Sequence, residues 1–373
     1  MKRFIIFHFL ISLCITCFSQ EAKFLNIQGQ VKDENNAPIA NAHITIPGRS
    51  IGTITNQQGF FNLLTSNTQG HIKVIVTHIN YQIHSEEFNP QKTTFLKIEL
   101  KDRIYQLEEV VIQHSLSAHE IVTKAIKTLE SNFQIDSITY TLFTRYSENI
   151  QESASLIEEF AFDIYHDEKS KPEFKISKIR AKALDLVGKK RLNNQRLITL
   201  HKTEGHIMLR YIPHFLQLNK MKKYNYSIID ETYENENAYY IISIESDRYQ
   251  KGGIIHVNKN DFGISYIQKI TEDEHWKNES RLNRVRVSHY QKVGDKYFFT
   301  HGYSEETLHL KQSNMKINLK TASIVIDRAN QRNFIKKEEM GLMSQKTTNF
   351  LSDFNDPFWK NYGNIPLEKK YEY

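Results

Sequence analysis

The sequence predicts a mainly β protein: an N-terminal β-sandwich of the seven-stranded type, a connecting α-helix, then a curved, half-barrel-like antiparallel β-meander with the helix packed on it. Three observations carry that prediction. Residues 24–112 alternate short β-prone runs with turn clusters, residues 117–134 switch to helical periodicity, and residues 136–330 return to longer β-prone runs joined by short polar turns. Composition agrees, since 22 phenylalanines and 19 tyrosines against 14 glycines describe an aromatic-rich β protein rather than a low-complexity chain.

Taken in order, residues 1–19 have the layout of a secretory signal peptide. Lys2 and Arg3 form a basic start, Phe4 to Phe18 an apolar core, and Cys17 and Ser19 are small residues before a cleavage point that would leave Gln20 first. Cys14 and Cys17 are the only cysteines, so an exported chain processed there carries no thiol and no disulfide, and its stability rests on core burial. Lipidation of Cys17 is the alternative, although Leu13-Cys14-Ile15-Thr16 is a poor context for it. Beyond the leader no stretch approaches the ~20 apolar residues of a spanning helix, and the expectation is a soluble or peripheral protein of the periplasm or the periplasmic face of the outer membrane. With Lys2 and Arg3 set aside, 47 basic residues face 43 acidic ones, a balance too mild to argue for a nucleic-acid partner.

Within residues 24–112, Gly29-Gln30-Val31 leads to a turn at Asp33 to Asn36, and Ala42, Ile44 and Ile46 alternate onto one face. Thr53 to Leu63 reads as a hairpin cornered at Asn56-Gln57-Gln58-Gly59, with Gly59 free to take positive φ. Ile72, Val74 and Val76 face one way and Ile75, Thr77 and Ile79 the other, the mark of a strand covered on both sides.

These residues resemble the carboxypeptidase regulatory-like domain, a transthyretin-type sandwich of Bacteroidota envelope proteins. The resemblance lies in Gly29, Val31, Asp33, Pro38, Ile39, Ala42, Ile44, Gly48, Gly52, Thr53, Thr55, Asn56, Gly59, Phe61, Leu63 and the closing Leu107 to Val111. It implies a non-catalytic module in which Gly29, Pro38, Gly52, Thr53, Asn56, Gly59 and Phe61 are structural. Asn56 departs from the family's frequent Asp, and Asn80 from a frequent Gly; both concern turns more than a site.

Ser117-Ala118-His119-Glu120 forms a capping box ahead of Ile121, Ala125, Leu129 and Phe133, widened by Val122 and Ile126. This helix either docks a partner or, more economically, packs on the following sheet. The meander expected over 136–330 has hairpin turns at Glu234 to Asn237, Asn258 to Asp261 and Val293 to Asp295. Tyr239 to Ile244, Lys251 to Asn258, Phe262-Gly263-Ile264 and Ile267 weakly resemble a strand–turn–strand unit of the periplasmic lipoprotein-carrier half-barrel. That resemblance implies either an apolar cavity for a lipid or acyl chain, or a sheet filled by its own side chains. The tail, 331–373, is aromatic from Phe354 to Tyr362 and would cover the sheet or dock a partner.

Candidate chemistry is sparse. Lys175, Lys178, Arg180, Lys182, Lys189, Lys190, Arg191, Arg196 and Lys202 stand against the single acid Asp185, which would suit an anionic membrane surface or merely a solvated helix or loop. His84-Ser85-Glu86-Glu87 has a metal-like spacing but falls at a strand end without a third ligand, and Glu272-Asp273-Glu274-His275 reads as a polar hairpin tip. Glu158-Glu159 and Glu108-Glu109 are neighbours in β-prone runs and so point to opposite faces. No nucleophile elbow or phosphate loop appears. The expectation is a non-enzymatic envelope binding or scaffold protein with no catalytic residues, no metal ligands and no cofactor; an envelope hydrolase is the alternative.

Overall fold

The computed structural model describes residues 24–66, 70–93, 95–103, 116–134, 137–166, 173–192, 212–234, 237–246, 251–276, 280–329 and 352–368. The leader, the closing Leu107 to Val111, Arg196 and Lys202 lie outside them. Among the described residues no helix is long and apolar enough to cross a membrane.

Seven strands build the first domain: β1 (Phe24–Asp33), β2 (His43–Thr45), β3 (Gly52–Ile54), β4 (Phe60–Ser66), β5 (Ile72–Thr77), β6 (His84–Phe88) and β7 (Phe95–Leu100). They form two sheets, ordered β4-β1-β7 and β3-β2-β5-β6, so the seven-stranded sandwich is the observed architecture. β7 lies parallel to β1, the other pairings being antiparallel. The alternation read from the sequence is the packing pattern: Ala42, Ile44, Ile46, Ile72, Val74 and Val76 all point into one core with Phe61. Gly59 takes φ +76° at its turn, where a β-carbon would in any case lie 2.3 Å from the Val31 carbonyl oxygen.

After the sandwich come α1 (Ala118–Lys127) and the single turn α2 (Leu129–Asn132). Ser117 closes its capping box with Glu120, the Ser117 amide donating to Glu120 Oε2 at 2.8 Å. Ten strands follow: β8 (Ile138–Ile150), β9 (Ser153–His166), β10 (Glu173–Ala183), β11 (Asn225–Glu234), β12 (Asn237–Glu245), β13 (Lys251–Asn258), β14 (Ile264–Trp276), β15 (Ser280–Val293), β16 (Lys296–Leu310) and β17 (Met315–Ala329). They make one curved antiparallel sheet, ordered β10-β9-β8-β17-β16-β15-β14-β13-β12-β11, whose edge strands do not meet.

Two features differ from a plain meander. β17 returns to pair with β8, so the first three strands extend the sheet beyond the last one. β10 is a strand where the sequence suggested a basic helix or loop, because Phe174, Ile176 and Ile179 pack against the apolar face while the lysines and Arg180 between them take the other.

The sheet is covered on both faces. On one, α1 lays Ala118, Ile121, Val122 and Ala125 over a core that includes Phe133, Tyr140, Phe160, Phe162, Tyr297 and Phe299. On the other, the sandwich and the tail with α4 (Phe358–Asn361) pack together, and Ile54, Phe143, Ala161, Ile324, Trp359 and Ile365 share a second core.

Candidate functional site at the seam between the two domains

The outward face of the β3-β2-β5-β6 sheet carries His43, opposite to the Ala42 and Ile44 core positions. It is held against the large sheet by Asn41, whose amide donates to Glu305 at 3.0 Å, and by Gln291, which donates to the Ile46 carbonyl at 2.9 Å. Arg103 adds a third tie, its Nε donating to Asp230 at 2.8 Å.

Beneath His43 runs a cross-strand row. His256 on β13 pairs with Tyr266 on β14, Tyr266 with His289 on β15, His289 with His301 on β16, and His301 with Ile324 on β17. Strand neighbours in register place their side chains side by side on one face. The rings accordingly stack, 4.6 Å between the centroids of His256 and Tyr266 and 4.6 Å between those of His289 and His301. His43 stands edge-on above the row, its ring centroid 3.8 Å from that of His289 and 4.7 Å from that of His301.

Register alone does not put His289 and His301 on the same face. The hairpin from Val293 to Lys296 would pair His289 with Thr300 and send His301 to the helix side, but a β-bulge intervenes: Tyr290 pairs with Phe299 and His289 with His301, leaving Thr300 as the extra residue. Buried Thr300 then ties the His301 imidazole to the His289 backbone. Its hydroxyl donates to the His289 carbonyl at 3.3 Å and lies 3.0 Å from His301 Nδ1. When the hydroxyl gives its proton to the carbonyl it accepts from Nδ1–H, the tautomer in which His301 Nε2 is a bare lone pair.

That nitrogen has no hydrogen-bond partner, and neither has Nδ1 of His43; both atoms are buried. Burial, reinforced by the neighbouring imidazoles, holds His43 and His289 far below the usual histidine range. Burial also presses His256 and His301 down to about 3. The cluster is therefore neutral at pH 7, the form in which imidazole ligates metals. The donor atoms of His43, His289 and His301 lie within 4.8 Å of one another. Gly52, from the sandwich motif, completes the enclosure, because a β-carbon there would stand 2.7 Å from His301 Nδ1.

The tail fastens the other end of the seam. Buried Glu159 takes Arg145 Nε at 2.6 Å and pairs with Arg180 through its second oxygen. Arg145 donates onward to the Pro366 and Ile365 carbonyls, and Arg180 to the Phe354 carbonyl at 2.8 Å while lying over the rings of Phe354 and Trp359. Asn56 accepts from the amides of Gln58 and Phe60 at 2.9 and 3.0 Å and donates through Nδ2 to Pro366 O at 3.2 Å. An aspartate there could make the turn but not that last bond. A cavity of about 50 Å³ remains where Asn56, Arg145, Tyr303, Glu305 and Ile365 meet.

The other residues singled out from sequence fall as follows. Gly29 lies under the Phe61 ring and the Leu96 carbonyl, Pro38 bridges to Lys32 beside Gly59, and Thr53 and Phe61 are buried. Among the described residues the basic run does not form one cationic face. Arg180 is in the buried ion pair, Lys178 pairs with Asp356, Lys182 lies over the Phe354 ring, and Lys175 lines a polar cavity with Asp163 and Asp327. Lys189 is exposed on α3 (Leu186–Leu192), which also holds Lys190 and Arg191, whose side chains are outside the described set. His84 faces Glu86 at 3.7 Å with Glu87 turned to the opposite side of β6, and Glu272 and Asp273 likewise alternate on β14.

The fold thus defines a two-domain β protein, a seven-stranded sandwich docked on an open ten-stranded sheet. Residues 27–112 match the CarboxypepD_reg-like domain family. A segment of the chain is 34% identical over 102 residues to the TonB-dependent receptor SusC of Bacteroides thetaiotaomicron, covering 27% of this chain and 9% of that receptor; the chain thus spans less than a tenth of that relative. Among solved structures, it is similar to a LolA superfamily protein of Nitrosomonas europaea, with a TM-score of 0.22, 11% identity and 60% and 99% of the two chains covered. Lipovitellin matches with a TM-score of 0.28 and 12% identity over 55% of this chain and 26% of that one. A DUF1329 family protein of Desulfovibrio piger matches with a TM-score of 0.21 and 7% identity over 56% and 93%.

Proposed function

We propose that the chain is a non-enzymatic module exported to the cell envelope, at the periplasm or the periplasmic face of the outer membrane, where it acts as a scaffold for protein contact. The carrying observation is that its own residues occupy both faces of the large sheet, α1 and its aromatic core on one side, sandwich and tail on the other. A carrier of lipid or acyl chains needs an apolar cavity, and the aromatic side chains beneath α1 take up that space. The leader pattern and the similarity of a segment of the chain to part of a TonB-dependent receptor support the envelope setting. The buried carboxylate Glu159 is held between two arginines, an arrangement suited to fastening a tail rather than to acid–base work. Native mass spectrometry with solvent extraction, on protein taken from its own periplasm and followed by cross-linking, tests this. A clean apo mass with a reproducible protein cross-link is expected; a stoichiometric lipid would transfer the case to the carrier.

One observation favours a second, additional contact, with an anionic membrane surface: Leu186 is 81% and Val187 44% exposed on α3, beside exposed Lys189. Each cation near such a surface adds about 1 kcal/mol. Flotation should be stronger with phosphatidylglycerol vesicles than with phosphatidylcholine vesicles, and weaker after Lys189, Lys190 and Arg191 are neutralised; charge-indifferent flotation would remove this contact.

A further inference from the structure

We propose that His43, His289 and His301 form a binding site for a divalent transition-metal ion of the zinc type, which staples the sandwich to the large sheet. This inference is independent of the scaffold reading, and it assigns a metal role to residues that are far apart in sequence and share no motif.

Three facts converge on it. The donor set is chemically uniform and soft enough to select: three imidazoles suit zinc, copper or nickel, whereas calcium and magnesium call for oxygen ligands. Its members come from both bodies, His43 from β2 and His289 and His301 from β15 and β16. Two of its nitrogens, His43 Nδ1 and His301 Nε2, are buried with no hydrogen-bond partner, an arrangement whose cost a ligated cation removes.

The geometry is close to ligating. Zn–N bonds of about 2.0–2.1 Å at tetrahedral angles place nitrogens roughly 3.3 Å apart. The three donors lie within 4.8 Å of one another, and rotations that turn His289 and His301 out of their near-parallel stack close the set. Thr300 supplies the outer support that metal-bound histidines usually have, its hydroxyl placed to accept from His301 Nδ1–H when Nε2 ligates. His289 retains partial exposure, which gives an ion a way in. A fourth position is left for water. Ordinary packing of neutral rings is the competing account, and it makes a different prediction, because stacked imidazoles with no common ligand have no reason to bind one ion stoichiometrically.

The test uses the full chain, stripped with chelator and dialysed against Zn²⁺, with metal content read by mass spectrometry. One equivalent is expected, retained in excess Ca²⁺ or Mg²⁺ and lowered at least tenfold in affinity by His289→Ala or His301→Gln. His309→Gln, on the same strand but away from the seam, should bind as the parent does. Because a seam variant can misfold, each is checked by circular dichroism, and the parent loaded with Co²⁺ is read independently by X-ray absorption. Three nitrogen scatterers with imidazole signature support the site. Substoichiometric Zn²⁺, binding unchanged in folded His289→Ala, or a Co²⁺ shell made of oxygen overturns it.

Discussion

Lowering the pH through the imidazole range should open the seam. His301 is completely buried, and its folded pKa is pressed to about 3, while in the unfolded chain an imidazole titrates near 6.5. Between those values the unfolded state binds the extra proton, so the contribution of neutral His301 is whole above about pH 6.5 and is lost as pH falls toward 3. At pH 5 the gap from the unfolded value is about 1.5 units, and at 1.36 kcal/mol per unit His301 alone accounts for about 2 kcal/mol. His43, His256 and His289 act in the same direction, since burial lowers each of them. Hydrogen bonds from Ser117 and Lys178 hold the Glu120 and Asp356 carboxyls below the usual range, which acts in the same direction, whereas burial raises Asp163 and opposes it. Urea unfolding followed by tryptophan fluorescence, in chelator at pH 7.5, 6.5, 5.5 and 5.0, measures the slope. Buried Trp359 reports on the seam directly. Stability should fall by at least about 2 kcal/mol from pH 7.5 to 5.0, and His301→Gln should flatten the curve by about that amount. A flat parent curve, or the same slope in parent and His301→Gln, would falsify the reasoning.

Other expected outcomes probe the parts around the histidines. Glu159→Gln leaves Arg145 and Arg180 facing each other without their carboxylate, and should cost about 3–5 kcal/mol in urea unfolding, the range for breaking a buried pair on one side. Asn56→Asp keeps the turn but sets a carboxylate against the Pro366 carbonyl; a loss of about 1–3 kcal/mol is expected, with faster proteolysis of the tail by mass-mapped digestion. Gly52→Ala puts a methyl against the His301 ring, so it should weaken Zn²⁺ binding and lower the melting temperature together, whereas Gly70→Ala, a change at a site with no atom within 4 Å of the added carbon, should leave Zn²⁺ binding alone.

How much of this was legible in the chain depends on which physical term decides each part. Alternation placed Ala42, Ile44 and Ile46 in a core and predicted α1, because burial on one face writes itself into period 2 or 3.6. β10 was hidden by its charges: apolar Phe174, Ile176 and Ile179 alternate with residues whose cationic heads are taken by Glu159, Asp356 and the tail, and such partners are remote in sequence. The double-sided burial of β5 was visible, since Ile75 is as covered as Val74, but it carried a meaning beyond a central strand, namely that the sandwich's outer face is also an interface. His43 sits on that same face. The row beneath it could not be read, for the hairpin turn at Gly294 is plain in sequence while the bulge at Thr300 is not, and one inserted residue decides whether His301 joins His289 or points to the helix. The bulge costs a ladder position and places a hydroxyl beside an imidazole whose far nitrogen is otherwise unsatisfied. An irregularity kept inside a long regular hairpin, at a point where the two domains meet, is where a physical reading of this chain expects function to be concentrated.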